Sequence, residues 1–254
     1  MKISIITVVK NGANTIEDNI RSVESQNYKE WEHLIIDSMS SDGTAEIAFN
    51  ASSSKRFCFS ELDSGALEGM NKGISKSKGE IIGFLNADDV YYDECSLSKV
   101  AKAFAEPGVM ACYGDLVYTS RDDLNSIARI WSMGEYSKSK LLWGWTAAHP
   151  TLYVRKSVFE RIGKFNPNYK LQSDFEFVIR LFYLHQIKSL YIPERLVKMR
   201  LGGISNRSLK NIILQNISNM KALQEHGLKI GYFYPLCRII SRAGQYIKVR
   251  LNEK

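Results

Sequence analysis

Three groups of residues in this 254-residue chain combine oxygen donors with apolar runs in a way that could carry chemistry. Asn86-Ala87-Asp88-Asp89 follows directly on the apolar run Glu80 to Leu85. An acid doublet at the end of a buried strand presents hard oxygen ligands at a sheet edge, where Mg²⁺ or Mn²⁺ can be held with positions left open for phosphate oxygens. The charge of such an ion would neutralise a diphosphate and stabilise it as a leaving group. The local alternative is that Asp88 and Asp89 open a turn and cap the next helix, a use to which Asp is equally suited. Asp37 ends the run Trp31 to Ile36 beside the Ser-, Asp- and Gly-rich segment Ser38 to Thr44, where a carboxylate can accept a hydrogen bond from a base or a ribose. Asp174, within Leu171-Gln172-Ser173-Asp174-Phe175-Glu176-Phe177, stands at the start of a helical pattern. A carboxylate there either takes a proton from a hydroxyl or stabilises the helix end by about 0.3 to 1 kcal/mol. Glu176 is the fallback for the first role, although two residues further on it should face elsewhere.

The elements that must position these residues alternate. Lys2 to Val9, rich in Ile and Val and stopped by Asn11-Gly12, reads as a buried strand. A helix follows, with Asn14 as N-cap, Glu17 three residues on as in a capping box, and Ile16, Ile20 and Val23 at helical spacing. Further strands are expected at Trp31 to Ile36, Phe57 to Phe59 and Glu80 to Leu85, with helices from Ala45 to Phe49 and from Met70 to Ser77 between them. A β-α-β-α-β-α-β order implies a mainly parallel sheet covered on both faces, whose ligands sit beyond the carboxyl ends of the strands. Asp37, Asp63, Asp88 and Asp89 all fall there, and Thr7 and Val9 would lie beside Asp37. Ser60 to Gly73 adds acids, the amide of Asn71 and a single cation, Lys72, which is either a phosphate contact or a solvated helix lysine. Beyond residue 95 the order loosens. A helix through Val100 and Phe104, strands near Met110 to Tyr113, Ile127 to Trp131 and Thr151 to Val154, and helices over Ser157 to Ile162, Asp174 to His185 and from Ser208 to Gly227 complete the reading.

Composition narrows the classes. A net charge of +7 suits nucleic acid, an anionic surface or a phosphorylated substrate, and its distribution says more than its size. From Leu228 onward Lys229, Arg238, Arg242, Lys248, Arg250 and Lys254 face the single acid Glu253. The stretch Tyr232 to Leu251 therefore suits either an amphipathic segment on an anionic membrane or a solvated basic helix packed on the domain. The longest apolar runs fall far short of the roughly 20 residues that span a bilayer, so neither a span nor export is expected and the chain is read as cytoplasmic. Cys58, Cys95, Cys112 and Cys237 are scattered without CxxC spacing and read as thiols in a reducing compartment. His33, His185 and His226 show no spacing that suggests metal.

Taken in order, these segments resemble the family 2 glycosyltransferases of the GT-A fold, particularly members that assemble bacterial polysaccharides. Ile3 to Asn11 is similar to the family's opening strand, Ile36 to Thr44 to its second-strand loop, and Ser60 to Gly73 followed by Gly83 to Asp89 to its most specific part. The resemblance covers roughly residues 1 to 205. It implies a GT-A domain with a nucleotide-binding half over 1–110 and an acceptor half over 111–205, followed by a basic helical extension over 206–254. It implies an inverting enzyme that moves a sugar from a nucleotide-diphosphate donor, UDP-linked by preference, to a hydroxyl of a saccharide or lipid-linked acceptor. Thr7, Val9 and Asp37 would line the base and ribose, Lys72 would lie near the diphosphate, and Asn86, Ala87, Asp88 and Asp89 would occupy the DxD position that holds Mn²⁺ or Mg²⁺. Here the first acid is replaced by Asn86, with Asp88 favoured over Asp89 as the ligand, and Glu68 stands where relatives often have Asp. Asp174 matches the catalytic base. Trp145, His149, Glu68 and Arg200 would line the acceptor and sugar side, the tryptophan either stacking on a sugar or serving the core, and Arg200, in Met199 to Ser205, could also reach the diphosphate.

Other classes fit less well. A sugar-nucleotide pyrophosphorylase should carry a Gly-rich loop after the first strand, and Lys10-Asn11-Gly12-Ala13 is too poor in glycine. A receiver-type module would need its acid pair after that strand, where none exists. There is no nucleic-acid recognition motif, and acids crowd the expected site. A non-catalytic nucleotide-sugar binder of the same fold is the remaining rival.

Overall fold

The computed structural model describes residues 1–169, 172–202, 209–230 and 234–238. Strands Ile3–Val9 (β1), Trp31–Asp37 (β2), Arg56–Ser60 (β3) and Ile81–Phe84 (β4) lie side by side in the order β3-β2-β1-β4, all parallel. Helices Ile16–Glu24 (α1), Thr44–Asn50 (α2) and Ala66–Lys76 (α3) connect them. β1 and β2 are covered on both faces, which is why their sequences run apolar rather than alternating. α3 presses onto β1 through two glycines: a Cβ at Gly69 would stand 2.6 Å from Val8 Cγ1, and one at Gly73 2.4 Å from Ile6 Cγ2. Only a residue without a side chain permits that approach.

The sheet continues from β4 through Tyr153–Arg155 (β8), Ala111–Thr119 (β6), Ser189–Arg200 (β9) and Val90–Tyr91 (β5), while Ile127–Trp131 (β7) pairs with β6. β6 and β9 are parallel, and the other pairings in this half are antiparallel. Helices Ser96–Ala105 (α4), Lys138–Leu142 (α5), Lys156–Ile162 (α6), Ser173–Val178 (α7) and Leu209–Glu225 (α8) flank it. α7 runs on into a π-helical stretch over Ile179–Leu184, which buries Ile179, Leu181 and Phe182 as the sequence pattern requires. The mixed α/β architecture expected from the sequence is therefore present.

Several local details differ. The cap of α1 is Thr15, with no side-chain cap bond; Asn14 lies before it, and Glu17 pairs with Arg21 at 2.5 Å instead of closing a capping box. β5 and β9 were not expected. In β9 the pairing with β6 skips Pro193 and Glu194, because Gly114 faces Ile192 and Asp115 faces Arg195. Proline has no N–H to give a ladder, and a register break is where it is tolerated. The expected cap Ser208, Leu171, the segment Gly203-Ile204-Ser205 and the tail beyond Arg238 lie outside the described residues. Among the described residues no helix is long and apolar enough to cross a membrane.

Candidate active site

The turn after β4 is tied down from three directions. Asn19, fully buried on α1, donates from Nδ2 to the carbonyls of Asn86 (2.8 Å) and Asp89 (3.1 Å). Asn86 Nδ2 donates to Asp89 Oδ2 at 2.7 Å, closing the turn on itself. From the end of β9, Arg200 gives its backbone N–H to Asp89 Oδ1 (3.3 Å), its Nη1 to the Asp88 carbonyl (2.8 Å), its Nε to the Arg121 carbonyl (3.2 Å) and its Nη2 to Asp18 Oδ2 (2.5 Å). Asp89 is wholly enclosed, and burial, reinforced by the charge of Asp88, pushes its carboxyl well above the usual range. The Asp88 side chain, by contrast, is only half-buried and makes no hydrogen bond among the described residues.

One strand away, β2 delivers Asp37 to the same edge, in register with Val9 on β1 and Ser60 on β3. Its Oδ2 accepts from Ser60 Oγ (2.6 Å) and from Ser40 N (3.1 Å), yet its Oδ1 is buried with no partner among the described residues. Asp63 repeats the pattern. Its Oδ1 accepts from Ser38 Oγ (2.7 Å) and Gly65 N (3.0 Å), while its Oδ2 is buried and unpaired. Buried acceptors are almost always satisfied, so two orphaned carboxylate oxygens beside one strand end mark a place that wants N–H or O–H donors from outside the chain.

Several residues expected to meet a ligand have side chains committed within the chain. Thr7 is fully buried, and its hydroxyl donates to the Leu85 carbonyl at 2.9 Å. It lies 2.9 Å from His33 Nε2, whose other ring nitrogen is approached by Arg56 Nε at 3.4 Å. That arrangement makes His33 the neutral Nε2–H tautomer, donating to Thr7. Burial and Arg56 push the imidazole down to about 3. Thr7 therefore braces the strand, its hydroxyl committed within the chain. Val9 packs in the apolar cluster with Ile16, Ile20, Ile35 and Ala48, leaving only its backbone at the edge, where its carbonyl accepts from Ser38 N. Ala87 is half-buried against that cluster. Lys72 donates to the Leu62 carbonyl (2.8 Å) and pairs with Glu68 (3.2 Å). Glu68 reaches back to Ser64 N and Oγ, and those bonds, with Lys72, hold its carboxyl down at about 2. The two residues fasten the loop before α3. Arg200 secures the Asn86–Asp89 turn from behind, its guanidinium already committed. Trp145 gives its Nε1 to the Met133 carbonyl (2.8 Å) and stacks edge-on against Tyr113 and Phe182, so it serves the core.

α7 presents the exposed carboxylate of Asp174, whose Oδ1 accepts from Phe175 N at 2.8 Å. Asp174, Asn86 and His149 line one cleft of about 320 Å³, together with Trp131, Arg129 and Arg238. His149 lies with its ring 5.1 Å from that of Phe84. Burial pushes its imidazole below the ordinary range, against the pull of Asp174. The aromatic face in the cleft belongs to Trp131, stacked on Tyr118 at 6.4 Å with the Arg129 guanidinium 4.7 Å over the tyrosine ring. Glu176 is 1% exposed and locked to Arg180 (2.8 Å) and His226 (3.0 Å), so the fallback base is not accessible.

Sequence reasoning overlooked Asn19, Asp18 and Arg238. Asn19 had a signal, a polar residue on the apolar stripe of Ile16, Ile20 and Val23. The other two meet their partners only through the fold. Among the described residues no three acids, histidines or cysteines gather to hold an ion. The donor set still fits Mg²⁺ or Mn²⁺, which keep waters and substrate oxygens on most positions and need only one or two carboxylates. Asp88 supplies one with no competing partner.

Known proteins resemble this chain in sequence and in fold. The family model "Glycosyl transferase family 2" matches residues 4–163. A PGL/p-HBAD biosynthesis glycosyltransferase of Mycobacterium bovis is 27% identical over 227 residues, covering 84% of this chain and 83% of that protein. Among solved structures, S. aureus TarS in complex with UDP-GlcNAc superposes with a TM-score of 0.68 at 17% identity, covering 92% of this chain and 69% of TarS residues in that structure. The mannosyltransferase PcManGT from Pyrobaculum calidifontis, in complex with GDP-Man and Mn²⁺, gives 0.66 at 16% identity, covering 93% of this chain and 68% of that one. Against TarS 1-349 without ligand the chain spans 65% of the other's length.

Proposed function

The chain belongs to the family 2 glycosyltransferases, and from that premise we propose that it is an inverting, metal-assisted enzyme transferring a sugar from a nucleotide-diphosphate donor, with UDP-sugars favoured, to a hydroxyl of a saccharide or lipid-linked acceptor in bacterial surface polysaccharide synthesis. One observation carries the reading: the exposed carboxylate of Asp174 lines the same cleft as Asn86, the first residue of the turn that carries Asp88. The orphaned oxygens of Asp37 and Asp63 support a nucleoside at the neighbouring strand ends, where they would accept from base N–H and ribose hydroxyl groups.

Asp174 acts as the general base. Its carboxylate takes the proton of the acceptor hydroxyl while that oxygen attacks the anomeric carbon from the face opposite the diphosphate, so the configuration inverts. Asp88 is the residue that would hold Mg²⁺ or Mn²⁺, whose charge neutralises the departing diphosphate. Asp89, Asn19 and Arg200 keep the Asp88 backbone in place. Trp131 offers a flat face for a sugar ring, and His149, neutral and beside Asp174, walls the base from the core.

Contact with an anionic membrane, at the cytoplasmic face, is the further part of the reading. It is supported by the basic residues after Leu228 other than the buried Arg238, and by Trp143, Ile213, Ile217 and Leu236, each more than half exposed. A chain ending at Gly227 should lose co-sedimentation with anionic liposomes; retention would refute this part. The function itself is tested by a thermal-shift and hydrolysis panel of UDP-, GDP- and dTDP-sugars with Mn²⁺. At least one donor should raise Tm and be turned over, and Asp88→Asn should abolish the metal's contribution to both. A donor that binds but is never consumed would instead make the chain a nucleotide-sugar binder.

A further inference from the structure

The family match ends at residue 163, yet the cleft is closed by residues well beyond it. α8 contributes Gln215 and Asn219, and the segment after it contributes Arg238. The first half of α8 is turned against the usual rule. Gln215, Asn216 and Asn219 are 8%, 8% and 1% exposed, whereas Ile213, Leu214 and Ile217 are 59%, 40% and 57% exposed. Positions 215, 216 and 219 share one helix face, and 213, 214 and 217 share the opposite sector. In the second half the ordinary order returns, with Ala222 and Leu223 buried and Lys221 exposed. A helix that spends its amides on the inside has something polar to meet there.

Part of that need is met within the chain. Asn216 Oδ1 accepts from Arg238 Nη1 at 2.9 Å. Arg238 in turn lies against the 143–145 turn so closely that a Cβ at Gly144 would be 2.7 Å from Arg238 Cβ, which fixes the end of the chain's described segment over the cleft. Asn219 is different. Its Oδ1 is buried and has no hydrogen-bond partner among the described residues, although the side chain lines the cleft that holds Asp174. An unpaired buried acceptor is a feature that a ligand donor removes.

We infer that α8 builds an acceptor-sugar subsite in which the Asn219 amide oxygen accepts a hydrogen bond from a hydroxyl of the incoming saccharide, next to the hydroxyl that Asp174 deprotonates. The chemistry selects the ligand class. An amide oxygen without a partner attracts O–H groups and repels phosphate oxygens, so it suits a polyol. Asn86, which lines the same cleft, marks the donor side. This inference rests on the glycosyltransferase reading above, and makes Asn219 a specificity-determining residue of that reaction.

The test uses the full chain loaded with whichever of UDP, GDP or dTDP stabilises it, and a panel of methyl glycosides of glucose, galactose, mannose, rhamnose and N-acetylglucosamine. Glycoside binding is read by saturation-transfer NMR, and KM values for glycoside and donor are read from nucleotide release. Asn219→Leu and Asn219→Ala should each weaken glycoside binding and raise its KM about tenfold, equivalent to about 1.4 kcal/mol, while the donor KM stays within about twofold. Because the Asn219 oxygen has no internal partner, Tm should not fall in the leucine variant. A folded variant with an unmoved glycoside KM overturns the inference, as does a donor KM that rises in parallel or a native chain that binds no glycoside of the panel. Failure of the underlying function looks different: no nucleotide or donor then binds the native chain at all.

Discussion

Two acid pairs at the candidate site are built alike. Asp88 and Asp89 adjoin in sequence, as Asp174 and Glu176 nearly do, and in each pair one carboxylate is left open while the other is sealed into the fold. Asp89 is fully buried on Asn86 and the Arg200 N–H; Glu176 is 1% exposed on Arg180 and His226. Their neighbours Asp88 and Asp174 keep accessible oxygens. The sealed member fixes the backbone that carries the open one. The pairs differ in how firmly this is done. Around Asp88 the turn is held by α1 and β9 together, a preorganised place for charge, whereas Asp174 rests on a single helix that loosens into a π-helical stretch directly after it.

That contrast can be strained at several points. Glu176→Ala should have the largest effect on stability, roughly 3 kcal/mol by chemical denaturation, because it leaves Arg180 without its buried counter-charge and His226 without its hydrogen-bond partner. A loss under 1 kcal/mol would mean that α7 is not anchored this way. Arg200→Met should cost about 2 kcal/mol, since several hydrogen bonds go but the Asp18 partner is partly exposed and screened. The same variant should raise the donor KM about tenfold with a smaller change in the acceptor KM; the reverse split would return Arg200 to the acceptor side. His33 makes the parallel half of the sheet acid-sensitive. Its folded pKa of about 3 lies below the ordinary 6.5, so the unfolded chain binds the extra proton first. Stability is then full above about pH 6.5 and is lost as pH falls, by about 2 kcal/mol at pH 5. Tm measured against pH should show this slope in the native chain and a shallower one in His33→Gln. Trp145→Phe should be mildest, about 1 kcal/mol for the lost bond to Met133, with transfer kinetics preserved; a collapse of the acceptor KM would restore its stacking role.

Much of the donor half was legible because its logic is local. Each strand of β1 to β4 is a short apolar run that ends in turn chemistry, and parallel βαβ order brings those ends to one edge. Burial was not legible to the same depth. Thr7 and Val9 do stand at the edge of β1, but that strand has neighbours on both sides and layers on both faces, so their side chains point into packed surroundings. Which of Asp88 and Asp89 turns inward depends on Arg200, 111 residues away from Asp89 in the chain. The second half is assembled from such distant pairings. β9 hides behind Pro193 and its charged neighbours, and β5 is two residues long. α8 misleads a periodicity reading outright, since its apolar residues Ile213, Leu214 and Ile217 face outward.

The central claim is that Asp174 is the base of a transfer reaction whose donor is held across the cleft. It is tested most directly by comparing native chain and Asp174→Asn for donor affinity and for single-turnover transfer under saturating donor and Mn²⁺. The account predicts a rate about 10³-fold lower with donor affinity within about twofold and an unchanged Tm, the size expected for loss of a general base. A variant that binds donor normally and transfers at the native rate would contradict it.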